Sequence, residues 1–190
     1  YSPDIIVMRH PSAGACQTLS ANTEASVINA GDGKHQHPTQ CLLDLFSMRQ
    51  NLGRDLSGLR VFIIGDILHS RVARSDIMGF RMLGMDVTLA HPKGMELDPK
   101  ILAQCEAYSK TYGGSFKVSD DFEGSMKGAH VVYPKAWCAT PIFLPPVGQS
   151  DQKKTQEIFD QYKNWKCTKE IMDMADKNAI YLHCLPCDRG

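Results

Sequence analysis

The fold of this chain is decided by the stretch Gly31-Asp32-Gly33-Lys34-His35-Gln36-His37-Pro38-Thr39-Gln40. Its two glycines permit a tight backbone turn, and Pro38 suits the first turn of a helix. Apolar residues then repeat at helical spacing, at positions 42, 43, 45 and 46. The pattern predicts that His37 and Gln40 flank the positive end of a helix, which is a place to hold a small anionic ligand.

Strands and helices are predicted to alternate on both sides of this stretch. Upstream lie a strand at 5–8, a helix at 14–24 and a strand at 25–30, and the helix that begins at Pro38 runs to about residue 50. The run at 5–8 is wholly apolar, which is typical of a strand covered on both faces of a parallel sheet. Polar residues with glycine at 51–58 predict a boundary between two domains.

Beyond residue 58 the alternation begins again. Strands are predicted at 60–66, 86–92, 115–118, 129–133 and 179–183, and helices at 70–83, 98–112, 120–128, 155–166 and 168–175. Residues 138–151 are rich in proline and predict a long loop. This βαβ series favours parallel sheets flanked by helices.

Composition excludes several classes of function. Lys plus Arg equals Asp plus Glu at 21 each, so no overall attraction to nucleic acid or to an anionic membrane is expected. No apolar run approaches the roughly 20 residues that a membrane helix needs. The seven scattered cysteines indicate reduced thiols in a cytoplasmic protein. The CxxC spacing at 184–187 lacks further ligands, so no metal site is predicted.

Four motifs resemble those of the aspartate and ornithine carbamoyltransferases. They follow in the family's order and span nearly the whole chain: Ile6-Val7-Met8-Arg9-His10-Pro11, Asn29-Ala30-Gly31-Asp32-Gly33 with His37-Pro38-Thr39-Gln40, Gly65-Asp66-Ile67-Leu68-His69-Ser70-Arg71, and His183-Cys184-Leu185-Pro186. The resemblance implies an α/β fold with two subdomains, each a parallel sheet flanked by helices. Residues 1–52 would be the C-terminal part of a carbamoyl-phosphate-binding domain, and residues 53–190 an amino-acid-acceptor-binding domain.

Both ends of the chain read as cut, because strands lie close to residue 1 and residue 190. We therefore expect the first subdomain to be incomplete. The Ser-Thr-Arg-Thr loop with which the family grips phosphate is absent, as are its closing C-terminal helices. The 190 residues alone are expected to have negligible activity.

The resemblance assigns the chemistry to three residues. Arg9 and His37 match the positions that hold carbamoyl phosphate and polarise its carbonyl group, and Gln40 matches the residue that holds the carbamoyl amide. Carbamoyl transfer needs fixed donors at the oxyanion and an oriented amine. Singly, the three could be a surface arginine, a core histidine and a polar helix residue; their joint occurrence with the His-Pro-Thr-Gln motif favours function.

The resemblance assigns acceptor binding to residues of the second subdomain. In the aspartate-type enzymes, the arginine at the position of Arg71 binds the acceptor carboxylate. The alternative is that Arg71 is a solvated arginine near a helix start. Lys135 and Trp137 match residues that face the acceptor in the knotted branch of the family. In the family, the residues at the positions of Cys184 and Leu185 lend backbone carbonyls that orient the amine and the carbamoyl group, and the alternative is that Cys184 is simply a small buried residue.

The acceptor is left open by these motifs. The first half of the chain resembles the aspartate type, whereas Cys184 and the Arg189-Gly190 pair resemble the ornithine type. Residues 132–137, the proline-rich loop and residues 165–168 resemble the knotted branch, which implies a threaded crossing through 138–166; a plain surface loop is the alternative. Aspartate, ornithine and acylated ornithine all remain possible acceptors.

The resemblance implies transfer of the carbamoyl group from carbamoyl phosphate to an amino acid, without metal or organic cofactor, by a homotrimer, which we expect to be cytoplasmic. No nucleic acid or membrane partner is expected. One alternative is a non-catalytic, carbamoyltransferase-like domain that binds a metabolite. Another is a nucleotide-binding α/β domain, suggested by the strand before Gly65 and Asp66, although the GxGxxG motif and an acidic ribose-binding residue are lacking.

Overall fold

The first of two parallel sheets has two strands in the computed structural model, which describes residues 2–135, 156–157 and 160–185. Its register pairs Ile5 with Ser26 and shifts once, between Met8 and His10. The elements of this first unit are β1 (Ile5–His10), α1 (Ala15–Ser20), β2 (Ser26–Asp32) and α2 (Pro38–Leu52). Because β1 and β2 are parallel, Arg9 and the loop after Asp32 lie at the same edge of the sheet.

The prediction that the strand at residues 5–8 is covered on both faces is wrong. Ile5 and Val7 are 60% and 64% exposed, and Ile28, the register partner of Val7, is also exposed. Ile6 and Met8 are half-buried. Successive side chains of a strand point to opposite faces, so the described helices cover one face of β1 and not both.

The second sheet has five parallel strands in the order β5-β4-β3-β6-β7. They are β3 (Arg60–Ile64), β4 (Asp86–Ala90), β5 (Phe116–Ser119), β6 (Val131–Pro134) and β7 (Ile180–Tyr181). The helices of this second unit are α3 (Arg71–Met82), α4 (Pro99–Tyr112), α5 (Phe122–Met126) and α6 (Lys169–Met172). The strand order reverses between β3 and β6, and ligands of open α/β sheets bind at the carboxyl ends of the strands beside such a reversal.

Strand β3 is covered on both faces, as its apolar run predicts. Val61 and Ile63 pack in a core with α3, whereas Phe62 and Ile64 pack in a second core with α5. All four side chains are almost fully buried. The predicted fold class, α/β with parallel sheets flanked by helices, is confirmed.

Helix α2 packs with both units. It follows β2 in the first unit, yet Cys41 and Met48 lie in the same core as Phe80 of α3. A side chain at Gly79 would collide with the thiol of Cys41, so the two helices approach closely there. The predicted domain boundary at 51–58 therefore follows a helix that is already fastened to the second unit.

Some elements are shorter than predicted. Helix α1 ends at Ser20, where Ala21 and Asn22 donate to Gln17 and Leu19 in a closing turn. Helix α6 covers only four residues, and β7 only two. Of the helix predicted at 155–166, residues 156–157 and 160–162 are helical. The loop at 138–151 and the crossing proposed there lie outside the described residues. None of the described helices has the length and apolar character of a membrane span.

Candidate anion-binding site at the sheet edges

His37 is held at the start of α2 by three contacts. Its backbone N–H donates to Oγ of Ser75 at 2.8 Å, which ties it to α3. Its ring Nδ1 accepts from the backbone N–H of Gln40 at 3.3 Å, and Oγ1 of Thr39 lies 3.1 Å from the same nitrogen. Because Nδ1 is an acceptor, we assign the proton of the neutral ring to Nε2.

The charge state of His37 follows from its surroundings. Burial lowers the pKa of His37, and the positive charges of Arg71, Arg9 and Lys135 lower it further. The ring is therefore neutral at physiological pH and presents Nε2–H as a donor. Arg9 of β1, Arg71 of α3 and Lys135, directly after β6, are therefore near enough to His37 for their charges to act on its ring.

Asp32 organises the loop that leads to His37. Its buried carboxylate accepts from the backbone of Gly14 at 2.7 Å and of Gln36 at 3.1 Å, and from the side chain of Asn29 at 3.0 Å. Nδ1 of His35 lies 2.9 Å away. Burial alone would raise the pKa of Asp32, but these hydrogen bonds prevail and hold its pKa below the usual value.

Replacing Asp32 by alanine should lower the free energy of unfolding by about 3 kcal/mol, because several buried donors lose a charged acceptor. An aspartate with a lowered pKa adds stability above the unfolded-state pKa of about 3.9, and that stability is lost as pH falls through the folded-state pKa. The difference between wild type and variant should therefore shrink in acid.

Urea unfolding at about pH 7 and about pH 3 measures both effects. The control is Glu24→Ala on an exposed bend, which should change stability by less than about 0.5 kcal/mol. A loss for Asp32→Ala that is no larger than the loss for Glu24→Ala would contradict the role of Asp32.

Arg71 is the first residue of α3 and lies against the same loop. Only 7% of it is exposed, and its Nη1 donates to the backbone oxygen of Gly33 at 3.2 Å. Gly31 has a positive φ of 118°, and a Cβ there would collide with the guanidinium of Arg71. The alternative of a solvated arginine is therefore wrong. Burial and the charge of Arg9 lower the pKa of Arg71 below its usual value, and the guanidinium stays charged at neutral pH.

The second unit contributes Lys135 and the segment after β7. The Nζ of Lys135, directly after β6, lies 2.9 Å from the sulfur of Cys184 and 6.0 Å from the ring centre of Tyr133. Leu185 has a positive φ of 48°, and its backbone N–H donates to Nδ1 of His183. A leucine in this backbone region is strained, and such strain tends to gather at functional sites.

Gln40 shows which end of its amide is engaged. Its Nε2 donates to Oδ1 of Asp44 at 3.1 Å, one turn along α2. The carbonyl Oε1 is then the end of the amide that can accept from a ligand.

The structure thus gathers most of the predicted site residues. Arg9, Arg71 and Lys135 act on His37, and Cys184 lies beside Lys135. Leu185 is exposed beside Cys184. Trp137 and Arg189 lie outside the described residues, so their roles stay predictions.

Sequence reasoning missed Ser75, Asp32 and Asp76. Ser75 lies four residues after Arg71, so the helical period could have placed both on one face of α3. Across residues 2–135, 156–157 and 160–185, no three histidine, cysteine or acidic side chains gather as a metal site would require.

Fold and site together define a class: a parallel-sheet α/β protein that surrounds a helix N-terminus with cationic side chains at the carboxyl edges of its strands. Comparison with known families makes this class specific. Residues 1–50 match the carbamoyl-P binding domain of aspartate/ornithine carbamoyltransferase, and residues 57–190 match its Asp/Orn binding domain. The chain belongs to the aspartate/ornithine carbamoyltransferase family.

Individual relatives differ in the acceptor that they name. The chain is 61% identical over 187 residues to an aspartate carbamoyltransferase catalytic subunit of Pelotomaculum thermopropionicum, which covers 98% of this chain and 54% of that protein. An ornithine carbamoyltransferase structure from Pyrococcus furiosus has a TM-score of 0.85 at 27% identity, covering 98% and 56%. An acetylornithine transcarbamylase solved with acetylcitrulline has a TM-score of 0.82 at 26% identity, covering 97% and 57%. The chain spans about half the length of these relatives.

Proposed function

We propose that this protein transfers the carbamoyl group of carbamoyl phosphate to the amino group of an amino acid and releases phosphate. The observation that carries the proposal is His37 at the start of α2, neutral, with Nδ1 engaged by the backbone and Nε2–H available as a donor. A donor fixed at this place stabilises the negative charge that gathers on the carbonyl oxygen during attack.

Three side chains and the N-terminus of α2 take part in the proposed reaction. The amine attacks the carbonyl carbon, a C–N bond forms, and the oxyanion of the tetrahedral state accepts a hydrogen bond from Nε2 of His37. Arg9 and the N-terminus of α2 draw the phosphate, which takes up the proton that the amine loses and leaves as the C–O bond breaks. Oε1 of Gln40 accepts from the carbamoyl NH2 group, which orients the carbonyl toward the amine.

The division of labour between the two units follows. Residues 1–52 supply Arg9, His37 and Gln40 and form the carbamoyl-phosphate side of the site. Residues 53–190 supply the acceptor side, with Arg71, Lys135, Cys184 and Leu185, and Trp137 and Arg189 are assigned to this side as well. The order of the two matched family domains supports this division.

The acceptor is an amino acid, and aspartate is the acceptor to test first. The aspartate carbamoyltransferase relative that is 61% identical to this chain supports aspartate as the acceptor, and that acceptor would place the protein in pyrimidine biosynthesis. Arg71 and Lys135 are two cations that suit an acceptor with a carboxylate. Ornithine and acetylornithine are the competing acceptors. We further propose a cytoplasmic homotrimer, and the free state of Cys16, Cys41, Cys105, Cys167 and Cys184 supports a reducing compartment.

A colorimetric assay for ureido product, with the full-length gene product and each acceptor in turn, tests the proposal. Replacing Arg71 by lysine should raise KM for the acceptor by about 30-fold, because lysine cannot present the planar fork that grips a carboxylate. The control is Arg49→Lys on the exposed face of α2, which should leave KM unchanged within about twofold.

Two outcomes would count against this assignment. An unchanged KM for Arg71→Lys would remove Arg71 from the acceptor site. Absence of product with aspartate, ornithine and acetylornithine would favour the alternative of a non-catalytic domain that binds a metabolite.

A further inference from the structure

A pair of carboxyl groups is buried where α2 packs against α3. Asp44 of α2 is 4% exposed and Asp76 of α3 is fully buried. The two carboxyl groups lie within hydrogen-bonding reach of each other. Neither group takes part in the chemistry described above, and the sequence motifs do not include Asp76.

The two carboxyl groups differ in their hydrogen-bond partners. Asp44 accepts from Nε2 of Gln40 at 3.1 Å and from the hydroxyl group of Tyr133 at 3.0 Å. Among the described residues, no N–H or O–H group donates to either oxygen of Asp76; what lies within its reach is the carboxyl group of Asp44 and the thiol of Cys41.

This asymmetry decides where a proton resides. Two ionised carboxylates in contact without water repel each other strongly, and each is costly to bury. Asp44 already has two donors that stabilise its anion. Asp76 has no N–H or O–H donor and only the weak S–H donor of Cys41 within reach, so it is the group that keeps a proton and can offer it to Asp44.

We propose that Asp76 is a positioning residue for Gln40: it remains protonated, donates its O–H to Asp44, and thereby fixes the carboxylate that holds Nε2 of Gln40. With Nε2 committed to Asp44, Gln40 can present only Oε1 to a ligand. The inference rests on the proposed function, in which Oε1 accepts from the carbamoyl NH2 group.

The groups that face the pair support this protonation state. Burial, followed by the negative charge of Asp44, raises the pKa of Asp76 well above its usual value. Burial also raises the pKa of Cys41 and of Tyr133, so both are neutral. Lys135 acts in the opposite direction on both aspartates, and Cys184 raises the pKa of Asp76.

The first measurement does not depend on activity. In the chain labelled with ¹³C at aspartate carboxyl carbons, one carboxyl resonance should keep the shift of a protonated acid from about pH 5 to about pH 8, far above the ordinary aspartate pKa of about 3.9. It should be absent in Asp76→Asn. If every aspartate carboxyl group is ionised by about pH 6, the inference is overturned, with or without catalysis.

A second measurement reports the orientation of Gln40. The Nε2 protons of Gln40 should exchange slowly with solvent in the wild type and in Asp76→Asn, because an asparagine amide also donates to Asp44. They should exchange at least about tenfold faster in Asp76→Leu, which has a similar shape and no donor. Equal exchange rates in the asparagine and leucine variants would overturn the positioning role.

Kinetics of the full-length product complete the test. Asp76→Asn should keep KM for carbamoyl phosphate within about threefold of the wild type, and Asp76→Leu should raise it by about tenfold. The effect of Asp76→Leu should vanish in a Gln40→Ala background, as expected for a residue that acts through Gln40. If Asp76→Leu raises KM for carbamoyl phosphate by the same factor in the Gln40→Ala background as in the wild type, the proposal is overturned.

A matched control and a clear separation of outcomes are available. Asp86→Asn changes another aspartate, which holds Ser115 at the amino edge of the sheet, and should leave KM unchanged. A protonated Asp76 in a protein that forms no ureido product would sink the proposed function while the proton assignment stands. An ionised Asp76 in an active enzyme would do the reverse.

Discussion

Replacing His37 by alanine is expected to lower kcat by a factor of about 10² to 10³, with a much smaller change in KM for carbamoyl phosphate. Nε2–H of His37 is the donor assigned to the oxyanion, and that oxygen carries most of its charge in the tetrahedral state. A donor that matters more in the transition state than in the ground state affects turnover more than binding. Steady-state kinetics of the full-length product, at saturating acceptor, measure the effect.

The pH dependence sharpens this prediction. The active form is the neutral ring, and burial, Arg71 and Arg9 lower the pKa of His37 below the ordinary value of about 6.5. The rate should therefore hold constant as pH falls past that value and decline only when the ring becomes protonated. This acidic decline should disappear in His37→Ala.

A second histidine provides the control. His130 precedes β6 at the opposite edge of the sheet, where its Nδ1 accepts from the backbone of Arg60. His130→Ala should keep kcat within about twofold of the wild type. Equal losses of kcat in the two variants, or an unchanged kcat with a raised KM in His37→Ala, would argue against the assigned role.

Replacing Gly65 by alanine should lower the free energy of unfolding by about 3 to 5 kcal/mol. Gly65 follows β3 with a positive φ of 118°, a region that other residues rarely adopt. A Cβ there would stand far inside contact distance of the backbone oxygen of Lys135. The neighbouring hydrogen bond from Lys135 N–H to the oxygen of Ile64 leaves that segment little room to move.

Gly94→Ala is the matched control for this steric argument. Gly94 also has a positive φ, 87°, but a Cβ there would meet no atom within 4 Å. It should lose about 1 to 2 kcal/mol from backbone strain alone. Urea unfolding of both variants compares them directly, and equal losses would show that the contact with Lys135 contributes nothing.

Local signals in the sequence predicted the backbone structure around His37, where one short segment carries all the information. Pro38 after His37 indicates a helix start, and the structure has His37 capping that helix. The alternation of strands and helices likewise predicted both parallel sheets. These features depend on neighbours in the sequence, which a single chain displays directly.

Features that depend on packing were not predictable in the same way. The apolar run of β1 does not reveal that Val7 has an exposed face, because a run looks the same whether one face or two are covered. The carboxyl groups of Asp44 and Asp76 meet only because α2 and α3 pack in one particular rotation, which no local pattern encodes. Arg71 was predicted as a ligand residue, but its burial against Gly33 became visible only in the structure.

The packing of α2 has a thermodynamic meaning. A helix whose apolar side chains, such as Met48, complete the core of the neighbouring unit does not melt separately from it. Residues 53–58 separate the two units along the chain. Helix α2 nevertheless unfolds together with the second unit, because it is part of that unit's core. His37, which caps α2, and Asp44, about two turns later, belong to this cooperative unit. Local opening of α2 would therefore disrupt the core of the second unit as well as the ligand site.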